Sequence, residues 1–472
     1  MMKRRTIALA VGLAWTALAS PLAAQSGAQP DWARVEQETL QHFQALLRMD
    51  TSDPPGNEQP AADYLTQLFE KEGIGVQTFT PEPKRTNVVA RLKGNGRKRP
   101  LLIMGHTDVV NVDPSKWTHP LFSGTRDGGY VYGRGSVDDK DNVTASVMVM
   151  LMLKRMNVPL DRDVIFLAEA GEEGTTRVGI QHMVDQHFAD IDAEYCLAEG
   201  GGVTRAGGTV RYASVQTIEK IPRAIELMAR GISGHASVPL QSNALLHLGA
   251  ALAKVGTWRP EVRLNGTTRA YFTRLAQISS GEEAARYRDV LDPIKAAAAD
   301  EYFRANDPGK ASLLHTSATP TMLNAGYRIN VIPSDARATV DVRTLPDDDL
   351  DAIIGSLRRA VNDPSVKVDW MPRDSRPAGT SRLDSEAFKA IEAAVTKHYS
   401  TTTLPTMSTG ATDMAFLRGK GVQCYGIGPA TDEEDGPKGF GAHSDQERII
   451  ESELHTFVRF NWEVVNELAR SK

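Results

Sequence analysis

Residues 101–108 read Leu101-Leu102-Ile103-Met104-Gly105-His106-Thr107-Asp108 and indicate the fold class. The apolar half of this stretch predicts a buried strand, which ends at a glycine followed by a histidine and an aspartate. Residues two apart on an extended chain point the same way, so His106 and Asp108 can lie together. A carboxylate beside an imidazole orients the ring as metal-bound histidines require. Taken alone, the His-x-Asp pattern more often marks a hydrogen-bonded structural histidine.

On both sides of this stretch, strand-like apolar runs alternate with amphipathic helices. Helices are predicted at about 59–71, 142–156 and 179–191, and strands at about 87–92 and 163–168. This alternation predicts an α/β fold with a mixed, mainly parallel sheet that helices cover on both faces.

The pattern changes near residue 222. Period-two alternation at 223–229 and 330–342 predicts antiparallel strands, with a polar, helix-rich stretch at 256–314 between them. We therefore predict an α+β lid over 222–374, which divides the catalytic domain into 25–221 and 375–472. The stretch 256–314 is expected to enlarge this lid.

Composition bounds the class of protein. The chain has 472 residues, of which 24% are charged and 41% are hydrophobic, as in an ordinary globular protein of two to three domains. A formal net charge of −5 offers no basic surface for nucleic acid. The only cysteines, Cys196 and Cys424, lie in apolar strands, where buried free thiols are expected, although export would permit a disulfide.

Residues 1–24 have the pattern of a secretory signal peptide. Lys3, Arg4 and Arg5 precede an apolar run at 7–19, and small residues end at Ala24. We expect cleavage after Ala24 and a periplasmic or secreted protein with no membrane association after cleavage. The alternative is an uncleaved N-terminal anchor, for which the apolar run is short.

Acids and a second histidine, each beside glycine, follow other predicted strands or open a helix. They are Asp138 and Asp139 in 132–140, Glu172 and Glu173 in 169–174, Glu199 in 198–202 and His443 in 439–445. Ligand sites of open α/β sheets lie outside the carboxyl ends of the strands, so this set predicts a metal site. Two histidines and three carboxylates suit Zn²⁺, and a bridging carboxylate would let them hold two ions. A remaining glutamate could then act as general base.

This ordered set of motifs resembles the M20 metallopeptidases, which include glutamate carboxypeptidases, aminoacylases, carnosinase-like dipeptidases and succinyl-diaminopimelate desuccinylases. The resemblance covers nearly the whole mature chain and implies a di-zinc exopeptidase-type catalytic domain. The implied ligands of two Zn²⁺ ions, for which Co²⁺ or Mn²⁺ can substitute, are His106, Asp138, Glu173, Glu199 and His443, with Asp138 bridging and followed by a cis peptide. The implied catalytic residues in this domain are Glu172, the general base, and Asp108, which orients His106.

The predicted lid also carries motifs that resemble those of the family. The resemblance implies that His235 stabilises the oxyanion, across the subunit interface in dimeric relatives. It also implies that Asn330 and Arg343 bind substrate, since a guanidinium fork suits a carboxylate. Gly410 and Thr412 resemble the substrate-carboxylate loop. The alternatives are a surface histidine, a structural ion pair at Arg343 and a simple turn at the loop.

The resemblance predicts an exported zinc-dependent hydrolase that cleaves an amide bond next to a free carboxylate through a metal-activated water. A carboxypeptidase or dipeptidase acting on small peptides is favoured, and an N-acyl-amino-acid amidohydrolase of the aminoacylase type is the alternative. A non-catalytic binder of peptide or metal is a third reading, which the presence of Glu172 and every ligand argues against. A homodimer through the lid is expected, although the chain departs from the family pattern in two ways. These are Asp141, where glycine is frequent, and the enlarged lid, which could replace a partner subunit.

Overall fold

The computed structural model describes residues 29–372 and 376–471. The predicted signal peptide and the predicted boundary at 374 lie outside the described residues, so the domain limits stay predictions. Among the described residues, no helix combines the length and the apolarity that a membrane span requires.

The helices occupy both parts of the chain and include a run of five between the lid strands β13 and β14. They are α1 (Trp32–Leu47), α2 (Gln59–Lys71), α3 (Lys140–Arg155), α4 (Ile180–Gln186), α5 (Phe188–Ile191), α6 (Ala244–Gly256), α7 (Gly266–Ile278), α8 (Gly281–Leu291), α9 (Ala296–Asn306), α10 (Pro308–Ser312), α11 (Leu350–Val361), α12 (Glu386–Tyr399), α13 (Met414–Gly419) and α14 (Glu451–Ala469).

The strands are short, apart from those around the junction of the two domains. They are β1 (Ser52–Asp53), β2 (Gly75–Glu82), β3 (Arg85–Leu92), β4 (Leu101–His106), β5 (Val109–Val110), β6 (Thr125–Asp127), β7 (Tyr130–Tyr132), β8 (Val164–Glu169), β9 (Tyr195–Ala198), β10 (Gly202–Ala206), β11 (Thr209–Glu219), β12 (Ile221–Arg230), β13 (Gly234–His235), β14 (Ser317–Ala325), β15 (Val331–Ile332), β16 (Asp335–Thr344), β17 (Val366–Trp370), β18 (Thr403–Ser408), β19 (Gln423–Gly426), β20 (Ala430–Asp432) and β21 (Arg448–Ile450).

A ten-stranded mixed sheet forms the catalytic domain, with the order β2-β3-β8-β4-β9-β19-β11-β10-β20 and β18 paired to β11. Its centre is parallel, since β8, β4, β9 and β19 run in one direction. Every residue of β4 and β8 is buried, as expected for central strands covered on both faces. The predicted mixed α/β architecture is therefore confirmed.

Two apolar cores cover the faces of this sheet. One contains α3 and the apolar sides of α2, α12 and α14, and it packs on residues such as Val88, Ile103 and Phe166. The other contains α4 and α13 and packs on the alternate residues Leu102, Met104 and Ile165. Cys196 and Cys424 belong to this second core, where they are register partners on β9 and β19 with free thiols.

The lid sheet has four antiparallel strands in the order β14-β16-β12-β17. Its alternate residues, including Ile225, Leu227 and Val340, pack against α6 and α11. The lid joins the catalytic domain where β11 passes into β12 at Lys220.

The helices α7–α10 pack differently from the sequence expectation for 256–314. Their aromatic core, which includes Phe272 and Phe303, closes on Leu404 and Met407 of the catalytic strand β18. Arg274 also forms an ion pair with Glu392 of α12 at 2.6 Å. The insert thus lies against the catalytic domain rather than enlarging the core of the lid sheet, because its apolar faces match β18 and β11.

Two further elements differ from their predicted extents. The alternating run at 330–342 is divided into β15 and β16, because Pro333 has no N–H to donate to a ladder. The predicted helix at 179–191 is divided at His187, whose backbone leaves the helical region at φ −133° and ψ 25°.

Candidate metal centre and active site

The carboxyl ends of neighbouring parallel strands bring the candidate site together. His106 ends β4, Glu173 follows β8 by a short loop, and Glu199 directly follows β9. Because β8, β4 and β9 are adjacent and parallel, their ends lie at one edge of the sheet. Asp138 comes from the turn before α3, and His443 from the loop before β21.

Asp138 stands between the two histidines. Its Oδ1 lies 3.0 Å from Nε2 of His106, and its Oδ2 lies 3.1 Å from Nε2 of His443. The latter nitrogen is also 3.0 Å from the carboxylate of Glu173. A carboxylate that offers one oxygen to each side is the arrangement of a bridging ligand.

Two groups of side chains could each hold a metal ion, and they share Asp138. In each group, one ligand atom of every residue lies within 4.8 Å of the others: His106, Asp138 and Glu199 in one group, and Asp138, Glu173 and His443 in the other. The structure therefore brings together all five residues that the resemblance implies as ligands.

The charge of this cluster suits a cation. Hydrogen bonds to Asp138 and Glu173 raise the pKa of His443 to about 10. Burial alone would lower the pKa of His106, but hydrogen bonds to Asp108 and Asp138 hold it well above its usual value. The nearby acids thus favour positive charge at both histidines, so the site also favours a bound cation. Histidine nitrogens and carboxylate oxygens together are a donor set that fits a divalent transition metal such as Zn²⁺.

His106 is oriented through its other ring nitrogen. Its Nδ1 lies 3.0 Å from the backbone oxygen of Asp108 and 3.5 Å from the carboxylate oxygen Oδ1. A nitrogen facing two acceptors carries the proton in the neutral ring, which leaves Nε2 free to bind a metal. The backbone carbonyl, which the sequence did not suggest, makes the shorter of the two contacts.

The carboxylate of Asp108 has a second set of partners. It accepts hydrogen bonds from the backbone N–H groups of Glu172 at 3.2 Å and Glu173 at 3.0 Å. Asp108 is fully buried. One side chain therefore orients both a histidine ligand and the loop that carries the predicted general base.

Glu172 has the environment of an available base. Within residues 29–372 and 376–471, its carboxylate accepts no hydrogen bond and forms no ion pair. Burial raises the pKa of Glu172 well above its usual value, and the nearby carboxylates of Glu199 and Asp413 raise it further. Such a shift is frequent at catalytic carboxylates and would reverse in part beside bound cations.

The turn that carries Asp138 is held by its neighbours. The Asp138–Asp139 peptide is cis, as the resemblance implies. Asp139 accepts a hydrogen bond from the backbone N–H of His106 at 3.1 Å, and Lys140 donates to the carbonyls of Leu46 and Met49 at 3.1 and 2.9 Å. These contacts tie the turn to β4 and to α1.

A carboxyl pair that the sequence reasoning left without a role lies behind the centre. Glu169 and Asp413 are buried and line a small cavity with His106 and Glu199. Burial raises the pKa of Asp413 to about 7, against the opposing effect of Arg376, 3.4 Å away. Each residue had a signal in the sequence. Glu169 ends the apolar strand β8, and Asp413 directly follows Thr412 in the predicted substrate loop.

In the predicted substrate loop, some of the hydrogen-bond donors are already bound to other residues of the protein. The backbone N–H and the hydroxyl of Thr412 both donate to buried Glu219, at 3.0 and 2.7 Å. Gly410 is exposed, and its N–H donates to Ser408 at 3.1 Å. Thr412 lines the cavity beside Glu199, but both of its donors are engaged.

His235 and Asn330 lie together on the lid and away from the metal cluster. The N–H of Ala236 donates to the carbonyl of Asn330 at 3.1 Å, and β13 pairs with β15. Nδ1 of His235 accepts the N–H of Ser237 at 3.1 Å. In the described part of the chain, no hydrogen bond or ion pair joins either residue to the metal ligands.

Arg343 lies on β16 and is about one-third exposed, with its Nε 2.7 Å from Oδ2 of Asp341. An ion pair at this position is the alternative that the sequence left open. Within residues 29–372 and 376–471, no acceptor is hydrogen-bonded to Nη1 or Nη2 of Arg343, so the pairing does not remove its capacity to bind a carboxylate.

Taken together, the mixed sheet and the two candidate metal groups that share Asp138 are those of an α/β protein with a carboxylate–histidine cluster at the carboxyl ends of its parallel strands. Residues 102–467 match the profile described as Peptidase family M20/M25/M40. The chain belongs to this family, and the predicted membership and enzyme class are confirmed.

Similar proteins carry several activities in their names. A probable carboxypeptidase S-like protein of Dictyostelium discoideum is 29% identical over 64% of this chain and 59% of its own length, so the match spans about three-fifths of that relative. Mouse aminoacylase-1 is 24% identical over 84% of this chain and 87% of its own length. A solved M20 family metallo-carboxypeptidase from Sulfolobus solfataricus has a TM-score of 0.70 at 20% identity, covering 91% of this chain and 98% of its own.

Proposed function

We propose that this protein is a zinc-dependent exopeptidase that hydrolyses the amide bond next to a free carboxylate, as a carboxypeptidase or dipeptidase. The observation that carries the proposal is Asp138, which offers one carboxylate oxygen to each histidine. Family membership supports amide hydrolysis, and the name of the Dictyostelium relative supports the carboxypeptidase reading.

Two Zn²⁺ ions would be held by the shared-carboxylate groups described above, with Co²⁺ or Mn²⁺ as substitutes. When bound, such ions lower the pKa of water and polarise a carbonyl oxygen. A dinuclear metal-binding relative from Bacillus subtilis, with a TM-score of 0.59, has the same fold.

Glu172 would move the proton. Its carboxylate, which is half-buried and has no hydrogen-bond or ion-pair partner among the described residues, can accept a proton from the attacking water and deliver it to the leaving nitrogen. Asp108 holds the backbone N–H of Glu172, so the base has a defined position before substrate binds.

The lid would supply the groups that recognise substrate. Nδ1 of His235 lies 2.7 Å from the hydroxyl of Ser237 and 3.1 Å from its N–H, and in the tautomer that accepts both, Nε2 would carry the proton that an oxyanion needs. Arg343 would bind the substrate carboxylate through the guanidinium N–H groups that Asp341 leaves available.

We also propose that the lid forms a homodimer, which would explain why, among the described residues, no hydrogen bond or ion pair joins His235 to the candidate metal ligands of its own chain. The edge strand β14 and the segments near His235 expose large apolar side chains, between 58% and 99% accessible: Ile232, Val238, Leu246, Met322, Leu323, Tyr327 and Ile329. Apolar patches on an unpaired strand edge favour pairing with a second chain.

The dimer is tested by sedimentation at micromolar concentration. The wild-type protein is expected at the mass of two chains, and Tyr327→Asp at the mass of one. Ile294→Asp changes an equally exposed apolar residue on the insert, 91% accessible, and should leave the dimer intact. A wild-type mass of one chain would refute the proposal.

An N-acyl-amino-acid amidohydrolase is the second candidate, favoured by the match to mouse aminoacylase-1. A human N-fatty-acyl-amino acid synthase/hydrolase, 25% identical over 78% of this chain, also supports it. Both candidates use the same centre and differ in the group that precedes the scissile amide. From the pattern of residues 1–24, we further propose that the enzyme acts outside the cytoplasm.

The deciding experiment is a substrate panel. Dipeptides, N-acyl amino acids and their C-terminally amidated analogues are assayed after chelation and after re-addition of Zn²⁺ or Co²⁺. We expect activity only with metal and only with a free carboxylate, and the ratio between the two substrate classes selects the candidate. Metal-independent turnover, or none with any amide, would show the proposal to be wrong.

A further inference from the structure

A buried group of charged side chains lies behind Asp108, and none of the motifs described above includes it. Asp53 and Glu58 come from the segment before α2, and Arg85 begins β3; these three residues form the buried ion cluster. One carboxylate oxygen each of Asp53, Glu58 and Asp108 lies within 4.8 Å of the others. All three acids are buried, and buried charges this close require a cationic partner.

Arg85 is that partner. Its Nε and Nη2 donate to the two carboxylate oxygens of Glu58, each at 2.8 Å, and Nη2 donates to Asp53 at 2.7 Å. Among the described residues, no other arginine or lysine forms an ion pair with either acid. The bidentate geometry fixes the plane of the guanidinium as well as its position.

The guanidinium also contacts the loop that carries the general base. A Cβ added to Gly171 would lie 3.0 Å from Nη2 of Arg85, and one added to Gly56 would lie 2.2 Å from its Cζ. Both glycines have positive φ, 74° and 84°. Because Gly171 directly precedes Glu172, Arg85 packs against the backbone from which the predicted base extends.

The segment that carries Asp53 is attached to the one that carries Asp108. The hydroxyl of Thr51 donates to the carbonyl of Thr107 at 2.6 Å, and the N–H of Val109 donates to the carbonyl of Thr51 at 3.2 Å. β1 and β5 then continue this pairing in parallel. Asp108 is thus held from both sides and in turn holds the N–H groups of the catalytic loop.

We propose that Arg85 is a positioning residue for Glu172, and that the buried ion cluster acts on it through Asp108 and through contact with the loop. The expected effect on kcat rests on the proposed amide hydrolysis. It also has a consequence for metal binding alone, because Asp108 holds the backbone of the ligand Glu173.

The test replaces Arg85 in the full chain. For Arg85→Met loaded with Zn²⁺, we expect kcat to fall about 10- to 100-fold, as for other residues that orient a metal site, with KM within about threefold. Zinc affinity, measured by chelator competition without substrate, is expected to fall about tenfold. Arg85→Lys keeps the charge but loses the bidentate fork, so it should recover part of both losses.

Arg162→Met is the matched control. Arg162 is also fully buried and pairs with Glu194 and Glu386, at 3.1 and 3.3 Å, but it precedes β8 at the opposite end of the strand from the site. Its replacement should lower the unfolding midpoint while kcat of the folded, metal-loaded enzyme stays within about twofold of wild type. Should Arg85→Met not fold, Glu58→Gln provides the same readouts with a smaller change.

The outcomes separate this proposal from the proposed function. Wild-type kcat and zinc affinity in Arg85→Met, or losses no larger than those of Arg162→Met, would overturn the positioning role. An inactive wild-type enzyme would overturn the hydrolase proposal, and the zinc affinities would still decide the role of Arg85.

Discussion

The metal centre and the lid face differ in how their functional residues are supported. At the centre, His106 and Asp108 are buried, and their hydrogen bonds come from elements distant in sequence. On the lid, His235 and Asn330 are exposed, and their hydrogen bonds stay within the lid. The candidate metal ligands are brought together within one chain, whereas no hydrogen bond or ion pair among the described residues connects His235 or Asn330 to them.

The largest expected effect tests the buried side of this comparison. Glu172→Gln removes the base and keeps the volume, so kcat should fall about 10³-fold. Zinc content, measured by atomic absorption, should stay at the wild-type level because Glu172 is not a member of either ligand group. Wild-type turnover with zinc bound would exclude the assigned role.

The next effect tests whether the lid acts across a dimer. His235→Ala should lower kcat about 10²- to 10³-fold by removing an oxyanion donor, and Asp138→Ala should be inactive through loss of metal. If His235 serves the partner's centre, mixing and refolding the two inactive variants should restore part of the wild-type rate. If the mixtures stay inactive although sedimentation shows mixed dimers, His235 does not serve the partner's centre. It would then act at the centre of its own chain or have no catalytic role.

A smaller effect is expected at Arg343. Arg343→Met should raise KM about 10- to 100-fold, the loss of a charge-assisted pair worth about 1.5–3 kcal/mol, with a smaller change in kcat. Zinc content serves as control and should stay at the wild-type level, since Arg343 belongs to neither ligand group. An unchanged KM would show that Arg343 does not bind the substrate carboxylate and has only the structural ion pair to Asp341.

The smallest expected effect tests whether Thr412 stabilises the fold or binds substrate. Thr412→Val removes one hydroxyl donor from buried Glu219, so the free energy of unfolding should fall by about 1–3 kcal/mol in urea titrations. KM should stay close to wild type, because both donors of Thr412 are engaged. A raised KM at unchanged stability would instead support the substrate contact that the sequence predicts.

The sequence allowed the clustering of the candidate metal ligands to be predicted, because acids and histidines follow successive apolar strands, whereas the role of each ligand stays a prediction from the family resemblance. His106, Glu173 and Glu199 follow apolar strands directly, and parallel strand ends meet at one edge of a sheet. The helical insert was assigned less well. Its amphipathic pattern shows that one face is buried but not which surface covers it, and β18 lies about a hundred residues further along the chain.

The fold class, the family and the side chains that cluster at the candidate metal centre could be inferred from the order of residues along the chain, because apolar periodicity and residue type are local features. The contacts that support these side chains became visible only in the folded chain. Arg85 comes before every metal motif and has no pattern of its own, yet it packs against Gly171 and binds Glu58. Burial of charge makes such pairings necessary, but which partners meet depends on contacts between segments that no local pattern encodes.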